Sequence, residues 1–145
     1  MSTEQLWEIV SDRRQGILAT INADGTPHLS NVYYLADRSN ELIRLSTTTV
    51  RIKGRNLQRD ARATLHVPGP DFFNFAVAEG EATLAIATTP DGAAVEELFE
   101  VHSALGAARG RSGFGEQMVA DHRMVVRLTV RRIYGQILER PRSGA

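Results

Sequence analysis

The chain has 145 residues, 17 Lys plus Arg against 17 Asp plus Glu, and no cysteine. A chain of this length forms one ordinary domain, and its balanced charge argues against a global field that gathers nucleic acid or anionic membrane. The missing cysteines exclude disulfides, thiolate metal sites and a cysteine nucleophile.

The amino terminus shows no basic region leading into an apolar run, and no stretch approaches the roughly 18 apolar residues of a membrane span. The expectation is one cytoplasmic domain over residues 1–145, without membrane or nucleic-acid partners. Ser2 with Gln5 three positions later fits a capping box, and Leu6, Ile9 and Val10 follow at helical spacing. A short helix therefore opens the chain. Residues 16–22 and 27–36 are rich in Ile, Leu, Val, Thr and Tyr, and Ala23-Asp24-Gly25-Thr26 between them is a hairpin signal. Asp37-Arg38-Ser39-Asn40 makes a second turn before an alternating segment at 42–47, so a three-strand meander is expected.

Thr47, Thr48 and Thr49 are placed to cap a helix over about 50–59. Strand character returns at 61–67, Pro68-Gly69-Pro70-Asp71 breaks it, and 72–87 is a long β-favouring run in which Gly80 marks a bend or bulge. Thr89-Pro90-Asp91 opens a helix carrying Val95, Leu98, Phe99 and His102, followed by a glycine-rich stretch over 106–115 and a helical piece near 116–121. The last strand covers 124–137, with Val126, Leu128 and Val130 on one face, and the tail after Leu138 is polar and expected to fray. Closure of the strands into a barrel would remove their exposed edges.

Chemistry concentrates between Ser46 and Asn56. There a strand ends in hydroxyl residues and passes into a helix bearing Arg51, Lys53 and Arg55; Lys53 is the only lysine in the chain. The unpaired N–H groups of a helix's first turn, threonine hydroxyls and two cations suit a phosphate. The same residues equally describe a solvated basic helix face with a threonine cap.

Gly16-Ile17-Leu18-Ala19-Thr20, the segment from Asp24-Gly25-Thr26-Pro27-His28 to Val32, and Ser46 with Arg51-Ile52-Lys53-Gly54-Arg55-Asn56-Leu57 together resemble the pyridoxamine 5′-phosphate oxidase-like split-barrel superfamily. Within it, Ser30-Asn31-Val32 and Ala76-Val77-Ala78-Glu79-Gly80 are similar to the actinobacterial reductases that use coenzyme F-420, a deazaflavin. The resemblance implies a mainly β fold with peripheral helices, a six-stranded antiparallel split β-barrel of the FMN-binding type, working as a homodimer with cofactor sites at the interface. It places the cofactor ring against Asn31, Val32, Tyr33, Ser46, Thr47 and Thr48. The phosphate meets Arg51 and Lys53 with Asn56 in support, and Phe73 and Phe75 reach the site from the partner chain.

The implied activity is hydride transfer between reduced coenzyme F-420 and a small conjugated or unsaturated substrate. The alternatives are an FMN-dependent pyridoxamine 5′-phosphate oxidase-like oxidoreductase and a non-catalytic cofactor- or haem-binding split barrel. Tyr33, Tyr34, His28 or water would supply a proton. His28, His66, His102 and His122 are too widely spaced for a zinc site. The 106–115 stretch matches no phosphate-loop pattern, though Arg109 or Arg111 there could meet an anionic coenzyme tail, or be plain surface arginine. A nucleic-acid patch of Arg127, Arg131 and Arg132 with Arg13, Arg14 and Arg59 is weakened by the balanced charge and the 6% aromatic content, and no Gly-x-Ser-x-Gly elbow suggests a hydrolase.

Overall fold

The computed structural model describes residues 2–138. Helix α1 (Thr3–Asp12) begins with the expected capping box: the Gln5 N–H donates to Ser2 Oγ at 3.2 Å and the Ser2 N–H to Gln5 Oε1 at 2.9 Å. Its apolar stripe, Leu6, Trp7 and Val10, is buried in the main core. Strands β1 (Gln15–Ile21) and β2 (Pro27–Tyr33) form the first hairpin, and β3 (Leu35–Asp37) and β4 (Leu42–Thr48) the second. Helix α2 (Ile52–Arg59), β5 (Arg62–Pro68) and β6 (Phe75–Ile86) follow. Helices α3 (Ala93–Ala104) and α4 (Phe114–Ala120) then interrupt the return to β7 (Arg123–Gln136).

All seven strands lie in one antiparallel sheet of order β2-β1-β5-β6-β7-β4-β3. Three expectations are corrected here. The 27–36 segment is two strands rather than one, broken at Tyr34: its N–H donates to the Arg14 carbonyl at 2.9 Å, its side chain is fully buried and its hydroxyl donates to the Val10 carbonyl at 2.7 Å. The chain turns there against α1, so β3 and β4 pair on the far side of the sheet and no three-strand meander forms. Seven strands replace six, and no ladder joins β2 to β3 or β4, so the barrel does not close.

The sheet nevertheless curls. β1 and β4 stand four steps apart in strand order, about 19 Å in a flat sheet. Yet α2, eight residues and about 12 Å long, packs on both of them as well as on β2. Leu18 of β1 and Ile43 and Leu45 of β4 accordingly share one core with α1. A second apolar cluster, including Val95, Leu98, Val101, Met118 and Val125, seats α3 and α4 on the outer face of β7. Glu97 of α3 fastens that seat, accepting hydrogen bonds from Arg127 of β7 and Arg44 of β4. The Arg127 bond, more than any other contact, holds the Glu97 carboxyl below its ordinary pKa.

Helix α2 starts later than the threonine run suggests. Its N-cap is Arg51 without a side-chain cap bond, and Thr48 Oγ1 instead accepts the Arg51 N–H at 3.2 Å. The polar tail expected to fray beyond Leu138 lies outside the described residues. Among the described residues no helix is long and apolar enough to cross a membrane.

Gly80 sits at the bulge anticipated for it: Glu79 faces Arg132 while Gly80 faces Val130, leaving Arg131 as the extra residue. A Cβ on Gly80 would fall 1.8 Å from the Thr129 carbonyl oxygen, so backbone must move to admit one. Gly80→Ala is expected to cost about 3 kcal/mol or more of stability, read from the urea midpoint. A loss under about 0.5 kcal/mol would show that the strands part there without strain.

Candidate functional site

The gap between the uncoupled edges of the curled sheet holds a pocket of about 460 Å³. That volume lies within the range of small-molecule and cofactor sites. Asn31, Val32 and Tyr33 of β2 form one wall and Ser46 and Thr47 of β4 the other. Arg51 and Lys53 enter from the start of α2, His102, Leu105 and Ala107 from the end of α3 and the loop beyond it, and Arg123 from the first residue of β7. As an edge strand, β2 also turns alternate backbone N–H and C=O groups away from β1.

Two features fix α2 at this gap. Gly54 lies so close to the end of β4 that a Cβ there would fall 1.9 Å from the Thr48 carbonyl oxygen. Asn56, 4% exposed, donates through Nδ2 to Thr20 Oγ1 at 3.1 Å and to Asn22 Oδ1 at 3.0 Å, while its Oδ1 accepts from Arg59 at 2.9 Å. One helix is thereby tied to β1 on one side and to β4 on the other. The charged residues of its first turn are left facing the pocket.

The electrostatics are one-sided. No Asp or Glu lines the pocket, and Arg51, Lys53 and Arg123 form no ion pair with a carboxylate among the described residues. Burial, then Arg51 and Arg123, push the Lys53 ammonium below its ordinary pKa. His102 is lowered as well, by burial and then by Arg123, and its Nε2 shares a 2.9 Å hydrogen bond with Ser46 Oγ. Thr47 is 1% exposed, and its Oγ1 has no hydrogen-bond partner among the described residues. Three cations without carboxylate partners around one pocket fit a site that receives an anionic ligand.

Of the residues singled out in the sequence, the fold brings together Asn31, Val32, Tyr33, Ser46, Thr47, Arg51 and Lys53. Thr48 and Asn56 are buried behind the pocket, where they position α2. Phe73, 62% exposed, and Phe75, stacked on His66 at 5.4 Å, do not line it. His28 faces Thr20 near the other end of β2, and its Nδ1 is buried without a partner. Tyr34 is committed to the core, and burial pushes its phenol upward. Arg111 pairs with Glu96 at 2.7 Å and covers Phe99, away from the pocket, and Arg109 does not line it either. Among the described residues no cluster of His, Asp and Glu could hold a metal.

Residues 2–137 match the pyridoxamine 5′-phosphate oxidase family. The chain belongs to this family. Among solved structures, an F-420 reductase is similar at 22% identity, covering 94% of this chain and 98% of its own, with a TM-score of 0.68. A conserved hypothetical protein from Mycobacterium tuberculosis is similar at 25% identity over 100% of this chain and 95% of its own, also with a TM-score of 0.68. A FAD-binding protein from Mesorhizobium loti has 15% identity over 92% of both chains and a TM-score of 0.67. A fold common to such proteins leaves cofactor choice to the side chains of the site.

The sequence reading missed His102 and Arg123 as pocket residues. Their place there follows from the β4–β7 ladder, which sets Thr48 opposite Arg123, and from the seating of α3. No local motif announces either.

The lowered Lys53 value fixes the sign of a stability effect. Its charged form is disfavoured in the fold, a cost fully present below the folded pKa and relieved as pH rises toward the ordinary value of 10.5. Lys53→Met is therefore expected to raise the urea midpoint of the ligand-free protein at pH 7, with the advantage narrowing at alkaline pH. A lower midpoint at pH 7 would show that the ammonium is compensated in the fold.

Proposed function

We propose that this member of the family is a coenzyme F-420-dependent oxidoreductase acting on a small conjugated or unsaturated substrate. The observation that carries the proposal is the strand-walled pocket whose cations meet no carboxylate. The ring would lie between Asn31, Val32 and Tyr33 on β2 and Ser46 and Thr47 on β4, with its anionic chain directed to Arg51 and Lys53. When bound, the deazaflavin supplies the hydride.

The chain's own residues bind and orient. Arg51 and Lys53 neutralise the ligand's anion. Asn56 acts through α2, keeping both cations at the pocket wall. Tyr33, 63% exposed, stands at the mouth, where its phenol or a water it holds can give the substrate a proton. His28 lines no part of this pocket, which leaves Tyr33 as the better placed candidate.

The working unit in this proposal is a homodimer. Leu29 on edge strand β2, Phe72, 87% exposed, and Phe73 present apolar surface that a second copy would cover. Phe73 and Phe75 of the partner subunit would then complete the ring pocket. A second reading, FMN as the cofactor, is favoured by the likeness to a FAD-binding protein, since the same residues serve either phosphate.

Equilibrium titration with oxidised coenzyme F-420 and with FMN, followed by absorbance and intrinsic fluorescence, tests these readings. The expected result is micromolar or tighter binding of the deazaflavin and much weaker FMN binding. The Arg51→Ala/Lys53→Ala double variant should lose about 100-fold in affinity while remaining folded. Light scattering on the loaded sample should give twice the chain mass. Preference for FMN would move the protein to the second reading, and binding of neither would overturn both.

A further inference from the structure

Arg123 and His102 reach the pocket from a part of the fold that the α2 motif does not include. Both converge on Ser46 Oγ, His102 Nε2 at 2.9 Å and Arg123 Nη1 at 3.5 Å. The His102 ring is held edge-on by Phe114 of α4, centroids 5.6 Å apart.

Elsewhere around α3 the cations are matched. Arg44 pairs with Glu97 and Glu100, Arg127 with Glu97, and Arg111 with Glu96. Only toward the end of the helix does the matching stop, where Arg123 meets no carboxylate among the described residues. The carbonyls near that end are also occupied: Val101 accepts from Leu105, Ser103 from Gly106, and His102 from Ala107 and Ala108. The Ala104 carbonyl at that end accepts from Arg14, so the helix's negative pole already faces a cation other than Arg123.

Together with Arg51 and Lys53 this gathers three cationic side chains around one pocket, whereas a phosphate monoester carries only about −1.5 to −2 near pH 7. We propose that Arg123, with His102 and Ser46, forms a second anion-binding arm that selects ligands carrying two separate anionic groups, a phosphoryl group plus a carboxylate or second phosphoryl group. This deepens the cofactor reading above and takes from it the location of the ligand.

Isothermal titration at low ionic strength with inorganic orthophosphate and tripolyphosphate tests the arm without the cofactor. The wild type is expected to bind tripolyphosphate about tenfold more tightly than orthophosphate. Arg123→Gln should remove most of that preference while holding orthophosphate affinity within about threefold. Arg131→Gln, exposed on the same strand and outside the pocket, should leave the preference intact and so control for net charge. His102→Gln reads the same preference and must reduce it, including in the event that Arg123→Gln fails to fold. Equal loss of both anions in Arg123→Gln, or loss of neither, would overturn the second arm. If coenzyme F-420 fails to bind while the tripolyphosphate preference and its dependence on Arg123 persist, the cofactor reading falls and the second arm stands.

Discussion

The buried amide of Asn56 holds the two sides of the curled sheet in register. It bonds Thr20 and Asn22 at the end of β1, while two residues earlier Gly54 lets the helix lie against Thr48 at the end of β4. Each such bond contributes only about 1 kcal/mol net, yet leaving one of these groups buried and unpaired costs more than the bond supplies. The width of the gap, and with it the pocket, depends on this small polar cluster. The walls of the gap are strands, so the site is shaped by the scaffold rather than by mobile loops.

Charge in this protein is sorted by task. Around α3 the arginines are paired with Glu96, Glu97 and Glu100, where they fasten the helical insertion to the sheet. In the pocket the cations are gathered and left without carboxylate partners; burial first, and then the neighbouring arginines, lower Lys53 and His102 and cost the empty protein stability. An anionic ligand relieves that cost, so binding and folding are linked at the same residues. Such local tension is typical of sites that serve a ligand rather than the fold.

Local signals in the sequence carried the local structure. Ser2 and Gln5 mark the first helix, Asp24-Gly25 the first hairpin, and Gly80 the bulge, because each acts through residues a few positions away or through its own missing side chain. Tyr34 misled, since a second tyrosine after Tyr33 reads as continued strand and only packing against α1 turns it inward. The α2 half of the site was legible because its hydroxyls and cations are consecutive. Arg123 and His102 were not, because strand pairing and helix packing between distant segments bring them to Ser46. The sheet's failure to close was equally hidden, since alternating strands look the same whether or not their outer edges meet.

Hydrogen–deuterium exchange with and without oxidised coenzyme F-420 most directly tests the claim that the ligand fills the gap. Protection is expected at residues 29–33, 46–57, the 102–107 turn and the start of β7 at Arg123, together with the edge that a second subunit covers. Protection centred instead on α3 around Glu97 and on Arg127 of β7, or none in residues 29–33 and 46–57 at saturating coenzyme, would contradict that claim.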